Sequence, residues 1–211
     1  MIIGRRRRKQ VYTTIVRAAE RYPSEQPGIN SLHCFSAGAH YDPDNTSFGA
    51  LVGVDEHTLA PGVGFERHAH RDVAIVTWVL AGALRHEDST GAVQVIEPGT
   101  VAVQIAGAGV EHVESNASSA DPVRFVQTTL LSSAAEPSYR IASLPVRVEN
   151  SLFDVQRDGR LILEARRMHL YAAAGQFAVE SEALFEGDSM RATEEPITVE
   201  GKGELLVVLL R

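Results

Sequence analysis

The chain has 211 residues, of which 44% are hydrophobic, enough to bury one large core or two smaller ones. It carries 20 Lys and Arg residues against 27 Asp and Glu residues, a formal net charge of -7, so the acidic body should not attract nucleic acid or an anionic membrane in general. Its single cysteine, Cys34, cannot form an intramolecular disulfide, and the sequence shows neither an apolar run of membrane-spanning length nor a signal peptide. We therefore expect a cytoplasmic protein.

The first predicted feature along the chain is a flexible basic arm, residues 1–10. It contains the run from Arg5 to Lys9, "RRRRK". A run of this kind could contact phosphates or a membrane surface, but most basic runs near a terminus are simply solvated, and we favour that interpretation.

The next part of the chain, residues 11–131, predicts an all-β domain. Short β-branched or alternating runs are separated by Gly, Pro, Asp and Asn, a pattern typical of sandwiches and barrels. Residues 13–20 could form a helix or enter a first strand. The clear candidate strands are residues 50–54, 73–80, 92–96, 101–105 and 123–131.

A linker is predicted over residues 132–144, where hydrophobic periodicity is lost and small residues and a proline appear. Residues 145–211 then predict a second, smaller β-rich domain. Its candidate strands are residues 161–166, 169–173, 176–181, 190–193, 197–199 and 205–210. Two β units in one chain suggest a duplicated barrel or sandwich.

The stretch "GFERHAHRD" places His68 and His70 two residues apart. On a strand this spacing puts both side chains on one face, about 7 Å apart, close enough to converge on one metal ion. With eight histidines in the chain, a single His-x-His pair also arises readily by chance. The pair alone leaves both interpretations open.

A second pair at the same spacing, His112 and Glu114 in "GAGVEHVESN", favours a metal site. If both strands face one barrel interior, that interior offers three imidazoles and one carboxylate. This donor set suits Fe(II), Mn(II), Ni(II), Cu(II) or Zn(II), and four protein ligands would leave an octahedral ion two open positions. Open positions indicate catalysis or sensing.

Other polar residues give weaker signals. His86 lies near a hairpin turn and could reach the pocket mouth, although an exposed or hydrogen-bonded histidine is the favoured interpretation. Glu66 and Asp72 could hydrogen-bond the ring nitrogens or be solvated surface groups. Cys34 is best interpreted as a small buried hydrophobic residue. No phosphate-binding loop and no Gly-x-Ser-x-Gly elbow is present in the sequence.

The two pairs and their surroundings resemble the two cupin motifs. Gly62 precedes the His-x-His pair and Gly82 follows it, while Gly99 and Gly107 precede His112. More narrowly, "HAHRDVAIVTWVLAGALRHEDSTG" and "IEPGTVAVQIAGAGVEHVESN" resemble the pirin family of bicupins, and the similarity runs from about residue 15 to residue 131.

This resemblance implies two cupin domains, the second without metal ligands. It also implies one mononuclear metal, usually iron, held by the residues that match the family's ligands: His68, His70, His112 and Glu114. The chain departs from the family at Ala74, where many pirins carry a glutamate that is not a ligand. Activities that need this glutamate are therefore in question.

The function that the resemblance implies is that of a quercetin 2,3-dioxygenase, which opens a flavonol heterocycle with O₂ and releases carbon monoxide. Glu114 would be the base that takes the proton of the flavonol hydroxyl. An alternative is an iron-dependent, redox-sensing module that binds a regulatory protein, whose identity the sequence does not indicate. A purely structural metal site without turnover is a third possibility.

Overall fold

The computed structural model describes residues 12–193 and 196–211, and these residues are almost entirely β-structure. They form two compact units: residues 19–154, and residues 155–211 together with the strand that precedes residue 19. Two short 3₁₀-helices, Ala18–Glu20 and Pro43–Asn45, accompany the strands. No described helix has the length and hydrophobicity needed to cross a membrane. The all-β prediction is confirmed, while the predicted basic arm lies outside the described residues.

In chain order the strands are β1 (Tyr12–Val16), β2 (Tyr22–Gln26), β3 (Ile29–His33), β4 (Leu51–Leu59), β5 (His68–His70), β6 (Val73–Ala81), β7 (Leu84–Asp88), β8 (Val93–Ile96), β9 (Val101–Ile105), β10 (Val110–Asn116), β11 (Val123–Leu131), β12 (Ser138–Ala142), β13 (Val146–Val148), β14 (Ser151–Gln156), β15 (Gly159–Leu163), β16 (Arg167–Val179), β17 (Glu182–Phe185), β18 (Ser189–Thr193) and β19 (Ile197–Leu210).

The unit of residues 19–154 contains two antiparallel sheets around one core. A seven-stranded sheet has the order β12-β9-β6-β11-β4-β3-β2, and a four-stranded sheet has the order β5-β10-β7-β8. Both sheets supply fully buried core side chains: Leu59 and Phe125 come from the larger one, and Leu84 and Ile96 from the smaller one. Such inward-facing layers are the core of a β-sandwich or barrel, and burying them drives the two sheets together.

One strand of this unit falls inside the predicted linker, residues 132–144. Strand β12 pairs with β9 along its whole length, from Ser138 opposite Ile105 to Ala142 opposite Val101. It lies at the edge of the larger sheet, and its side chains are only exposed or half-buried. An edge strand of this kind needs no hydrophobic alternation, and for that reason the residue pattern does not predict a strand here.

In the unit that contains residues 155–211, the sheet order is β1-β18-β16-β19, with β15 paired to β19 and β17 to β16. Strand β1 pairs with β18 from Tyr12 opposite Thr193 to Val16 opposite Ser189. The predicted first domain, residues 11–131, included this strand because sequence order alone does not reveal a partner so far along the chain. Residues 13–20 thus divide between a strand and a 3₁₀-turn rather than forming an α-helix.

Two long strands, β16 and β19, replace four shorter strands predicted from the sequence. They remain paired where Gly175 lies opposite Gly203. Both glycines have positive φ angles, +82° and +128°, and a Cβ atom on Gly175 would lie only 2.1 Å from the carbonyl oxygen of Lys202. The glycines therefore let the two backbones pass closely while the ladder continues.

Candidate metal centre

Three histidines of the predicted site come together on strands β5 and β10. The strands are antiparallel, with His68 opposite His112 and His70 opposite Val110. The Nε2 atoms of His68 and His112 are 2.8 Å apart, and the ring centroid of His70 lies 4.9 Å from that of His68 and 4.8 Å from that of His112. One nitrogen of each ring lies within 4.8 Å of the others, so the three side chains could bind one ion.

The orientation of His68 is set by its own backbone neighbourhood. Its Nδ1 lies 2.8 Å from the carbonyl oxygen of Glu66, which can only accept a hydrogen bond. Nδ1 must therefore carry a proton, and Nε2 is the nitrogen that faces His112. A metal-binding histidine typically donates its other N–H in this way.

The segment before His68 lies directly against β10. The Phe65 amide donates to the Glu114 carbonyl at 2.8 Å, and Gly64 forms an isolated β-bridge with Ser115. A Cβ atom on Gly64 would lie 2.6 Å from the Glu114 carbonyl oxygen and 2.8 Å from the Ser115 Cα atom. Only glycine allows this close approach, which fixes the position from which β5 begins.

The fourth predicted ligand, Glu114, is buried and lies on the inner side of the histidines. Its carboxylate belongs to a second group of possible ligands with His86 and His112, in which one donor atom of each lies within 4.8 Å of the others. Gln127 Nε2 donates to both carboxylate oxygens, at 2.9 and 2.7 Å. The four predicted residues, together with His86, thus form two triads that have His112 in common.

Electrostatics put these side chains in the protonation states that bind metals. Burial lowers the pKa of His112 to about 4, although Glu114 opposes the change, and burial followed by the proximity of His68 lowers the pKa of His70. Burial alone would raise the pKa of Glu114, but His86, His112 and the Gln127 amide outweigh it and lower that pKa. At neutral pH, the half-buried imidazole of His70 and the buried imidazole of His112 are neutral and the carboxylate is ionised.

His86 occupies a position that the sequence did not indicate. It is only 1% exposed, its Nε2 donates to Asp88 Oδ2 at 3.0 Å, and its ring stacks on Tyr139 with centroids 3.9 Å apart. Of the two environments favoured from the sequence, the hydrogen-bonded one is correct and the exposed one is wrong. The spacing of His86 and Asp88 is the same two-residue spacing as in the two predicted pairs, a signal that could have identified it.

The remaining candidates lie outside the two triads. Glu66 contacts His68 through its backbone carbonyl rather than its carboxylate, and the Asp72 carboxylate pairs with Arg71 at 3.2 Å. Cys34 is buried, as expected. The other four histidines, His33, His40, His57 and His169, belong to neither described group of possible ligands.

A cleft of about 550 Å³ opens beside His68. It combines apolar with charged side chains next to a possible ligand and so offers an approach for a small molecule. Its lining consists of Gln26, Pro27, Ile29, Gly64, Phe65, Glu66, Arg67 and His68.

The donor atoms fit a divalent transition metal. Imidazole nitrogens and one carboxylate are the ligand types that such ions prefer. The Nδ1 atom of His86 is buried and has no hydrogen-bond partner among the described residues. Buried nitrogens without partners are costly, and coordination would remove that cost.

Comparison with known sequences identifies relatives along much of the chain. A protein of Mycobacterium tuberculosis strain H37Rv, named "Putative quercetin 2,3-dioxygenase Rv0181c", is 48% identical over 120 residues, which cover 57% of this chain but only 49%, about half, of that protein. The quercetin 2,3-dioxygenase of Escherichia coli K12 is 31% identical over 147 residues, covering 70% of this chain and 61% of that protein. A Zymomonas mobilis protein is 30% identical over 213 residues and covers 86% of this chain and 90% of its own.

Solved structures share the fold at lower identity. The E. coli pirin YhhW in complex with nickel(II) superimposes with a TM-score of 0.86 at 22% identity, covering 94% of this chain and 99% of that chain. A quercetin 2,3-dioxygenase from Acinetobacter baumannii gives a TM-score of 0.70 at 15% identity, covering 94% of this chain and 77% of that chain. The family model described as Pirin matches residues 15–130, the stretch that holds the His68/His70 and His112/Glu114 pairs. The family resemblance drawn from those motifs is confirmed: this chain belongs to the pirin family.

Proposed function

We propose that this protein is a metal-dependent dioxygenase that opens the heterocycle of a flavonol with O₂, as a quercetin 2,3-dioxygenase does. The observation that carries the proposal is the ionised, buried Glu114 carboxylate next to convergent histidines. The E. coli relative named quercetin 2,3-dioxygenase supports the reaction class. We propose Fe(II) as the metal, while the nickel(II) in the related pirin structure keeps nickel a candidate, and Mn(II), Cu(II) and Zn(II) suit the same ligands.

In this proposal His68, His70, His112 and Glu114 hold the metal. A metal bound there supplies Lewis acidity that lowers the pKa of a substrate hydroxyl, together with the redox chemistry that O₂ requires. The protein supplies neutral nitrogens, a fixed carboxylate and exclusion of water from the buried part of the site.

Glu114 acts as the proton acceptor. Its pKa is lowered, so it is ionised at neutral pH, and it could accept the proton of a flavonol 3-hydroxyl whose own pKa a bound metal would lower. Gln127 holds both carboxylate oxygens and thereby fixes where the proton is received. After the ring opens with the uptake of one O₂ and the release of one carbon monoxide, the same group can return the proton to the product.

The cleft beside His68 suits a planar phenolic substrate. Phe65 and Ile29 provide apolar surface for aromatic rings, and Arg67 provides a positive charge for phenolate oxygens. We propose this cleft as the route by which the substrate reaches the metal centre.

The test is O₂ uptake and carbon monoxide release by iron-loaded protein with a panel of flavonols. We expect flavonol-dependent uptake by the native protein and a loss of at least about a hundredfold, comparable with other catalytic acid-base groups, in Glu114→Gln. Glu111→Gln is the matched control because Glu111 lies on the same strand, is exposed and belongs to neither described ligand group.

Two outcomes would contradict the proposal. The first is an iron-loaded protein that consumes no O₂ with any flavonol above the His112→Ala background. The second is uptake that Glu114→Gln and Glu111→Gln reduce equally. A protein that binds iron without turnover, and binds another protein differently in its ferrous and ferric forms, would instead support the redox-sensing alternative.

A further inference from the structure

We propose that His86 is an additional metal ligand, and that the metal has a second, inner position between His86, His112 and Glu114. These three side chains are all buried and offer donor atoms that lie within 4.8 Å of one another. The inner position shares His112 with the outer position formed by His68 and His70. The inference rests on metal binding at this centre and not on flavonol turnover.

His86 is held as metal-binding histidines usually are. Its Nε2–H donates to Asp88 Oδ2 at 3.0 Å. Asp88 is itself fixed, because its other oxygen accepts hydrogen bonds from the Thr90 amide at 2.9 Å and the Thr90 hydroxyl at 2.6 Å. A carboxylate that binds one ring nitrogen orients the ring and makes the other nitrogen a better ligand.

The free nitrogen of His86 faces the Glu114 carboxylate. Nδ1 is buried, has no hydrogen-bond partner among the described residues, and lies 4.0 Å from Glu114 Oε1. This distance is too long for a hydrogen bond. It is suitable for two atoms bound to one ion, since bonds of about 2.1 Å place ligand atoms roughly 3 to 4 Å apart, depending on the angle between them.

Packing keeps His86 in this position. Its ring stacks on Tyr139, with centroids 3.9 Å apart and planes within 11° of each other. The centroid of His112 lies 5.2 Å away on the metal-facing side of the group. A side chain that is 1% exposed, stacked and hydrogen-bonded at one nitrogen is preorganised, so binding an ion at the other nitrogen needs little rearrangement.

Because His112 belongs to both positions, we place one ion at this centre, in either position. In the inner position Glu114 and His86 are both ligands, whereas in the outer position Glu114 joins the three histidines as proposed above.

The test is titration with Co(II), whose visible spectrum reports the number and type of ligands. The double variant His68→Ala/His70→Ala removes two ligands of the outer position only. We expect it to retain one equivalent of Co(II) with an altered spectrum. Adding His86→Ala should then weaken binding by more than roughly a hundredfold, beyond the loss expected for a group that merely orients a ligand.

Two controls separate ligation from packing. Tyr139→Phe in the double variant keeps the aromatic stack and should leave the Co(II) affinity unchanged within about threefold, well below the effect of a lost ligand. Free imidazole added to the protein carrying His86→Ala should restore the Co(II) spectrum by filling the vacated space. The unfolding midpoint of each variant is measured as well. A midpoint close to the native value shows that the variant is folded, so a loss of Co(II) binding is then due to the substitution at the site.

The inference is overturned if the double variant binds no Co(II), or if His86→Ala changes neither its affinity nor its spectrum. Neither result depends on O₂ uptake. Failure of the dioxygenase proposal would appear as absent turnover in a protein whose Co(II) titrations still follow the two-position scheme.

Discussion

Gln127 Nε2 lies 2.9 and 2.7 Å from the two carboxylate oxygens of Glu114 and donates to both from the opposite sheet. Gln127 also lies 3.1 Å from the Thr77 hydroxyl, a neighbour on β6. The amide therefore orients a buried charge that the metal centre and the proposed chemistry both need. Removing the Gln127 side chain should therefore lower both the stability of the fold and the activity.

Replacing Gln127 with Ala should lower the free energy of unfolding by about 1.5–3 kcal/mol, because a buried carboxylate loses a charge-assisted hydrogen bond. It should also lower kcat more than it raises KM, since the carboxylate would no longer be fixed. Urea denaturation and steady-state O₂ uptake measure the two effects. Thr77→Val is the matched control with a smaller expected loss, and equal losses in both variants would count against a special role for Gln127.

Gly64→Ala should destabilise the metal centre without changing any candidate ligand. The new Cβ atom would meet the Glu114 carbonyl at 2.6 Å, so the segment must move away from β10. Overpacking of this kind costs about 1–3 kcal/mol. We expect a lower unfolding midpoint together with weaker Co(II) binding in a competition titration.

Glu66→Ala tests whether this effect is specific to the backbone contact. Glu66 lies on the same segment and binds His68 through its carbonyl, which the substitution keeps. The unfolding midpoint and the Co(II) affinity of Glu66→Ala should both stay near their native values. A Gly64→Ala protein that binds Co(II) as tightly as the native protein would show that the close approach is not required.

Removal of the metal should lower the melting temperature. An ion that binds only the folded protein contributes about 2.7 kcal/mol when its free concentration is one hundred times its Kd. Thermal unfolding with and without a chelator measures the change. In His112→Ala, which lacks the residue shared by both triads, the chelator should have almost no effect. An equal chelator effect in that variant would place the ion elsewhere.

Asp188 should make the stability of its unit dependent on pH. Its side chain accepts from Arg17 Nη1 and from the Ala18 amide, both at 2.8 Å. Burial opposes ionisation, but the hydrogen bonds from Arg17 and the backbone amides of Phe185 and Ala18 outweigh it and lower the Asp188 pKa below its ordinary value of 3.8. Because the Asp188 pKa is lower in the folded state than in the unfolded state, ionised Asp188 stabilises the fold at pH values above its unfolded-state pKa.

The Asp188 contribution should therefore be complete at neutral pH and decline as the pH falls below about 4 toward the lowered folded-state pKa. Asp188→Asn should cost about 1–3 kcal/mol at pH 7 and progressively less near pH 3. Denaturation at several pH values measures this difference. As a control, Glu182→Gln removes the more exposed partner of Arg17, at 3.8 Å, and should lower the free energy of unfolding by less than about 1 kcal/mol. If Asp188→Asn had the same cost at every pH tested, the role assigned to ionised Asp188 would be contradicted.

The sequence predicted the parts of the site that depend on local spacing. Side chains alternate along a strand, so a two-residue spacing predicts that both members of a pair lie on one face. This rule identified His68 with His70 and His112 with Glu114. His86 and Asp88 follow the same rule, yet a nearby turn favoured an exposed position. The contribution of Gln127 depends on which strands face each other across the interior, and a one-dimensional pattern does not contain that information.

The fold was predicted best where strands are buried on both faces or alternate clearly. Strands β9 and β11 have the bounds expected from their β-branched runs. Edge strand β12 was missed because few of its side chains are buried, which leaves Tyr139 without a sequence signal. Strands β16 and β19 are each predicted as two shorter strands, because composition does not distinguish a close backbone approach at a glycine from a turn.

Because β1 pairs with β18, the two units differ in when all of their strands become available during synthesis. The unit of residues 19–154 is a continuous stretch, and its strands can pair as soon as that stretch has left the ribosome. Strand β1 emerges first of all the described strands, yet its partner, residues 189–193, is made almost last. Strand β1 therefore has no β18 partner until residues 189–193 have been made, and closing so long a loop adds an entropic cost to the folding of the other unit.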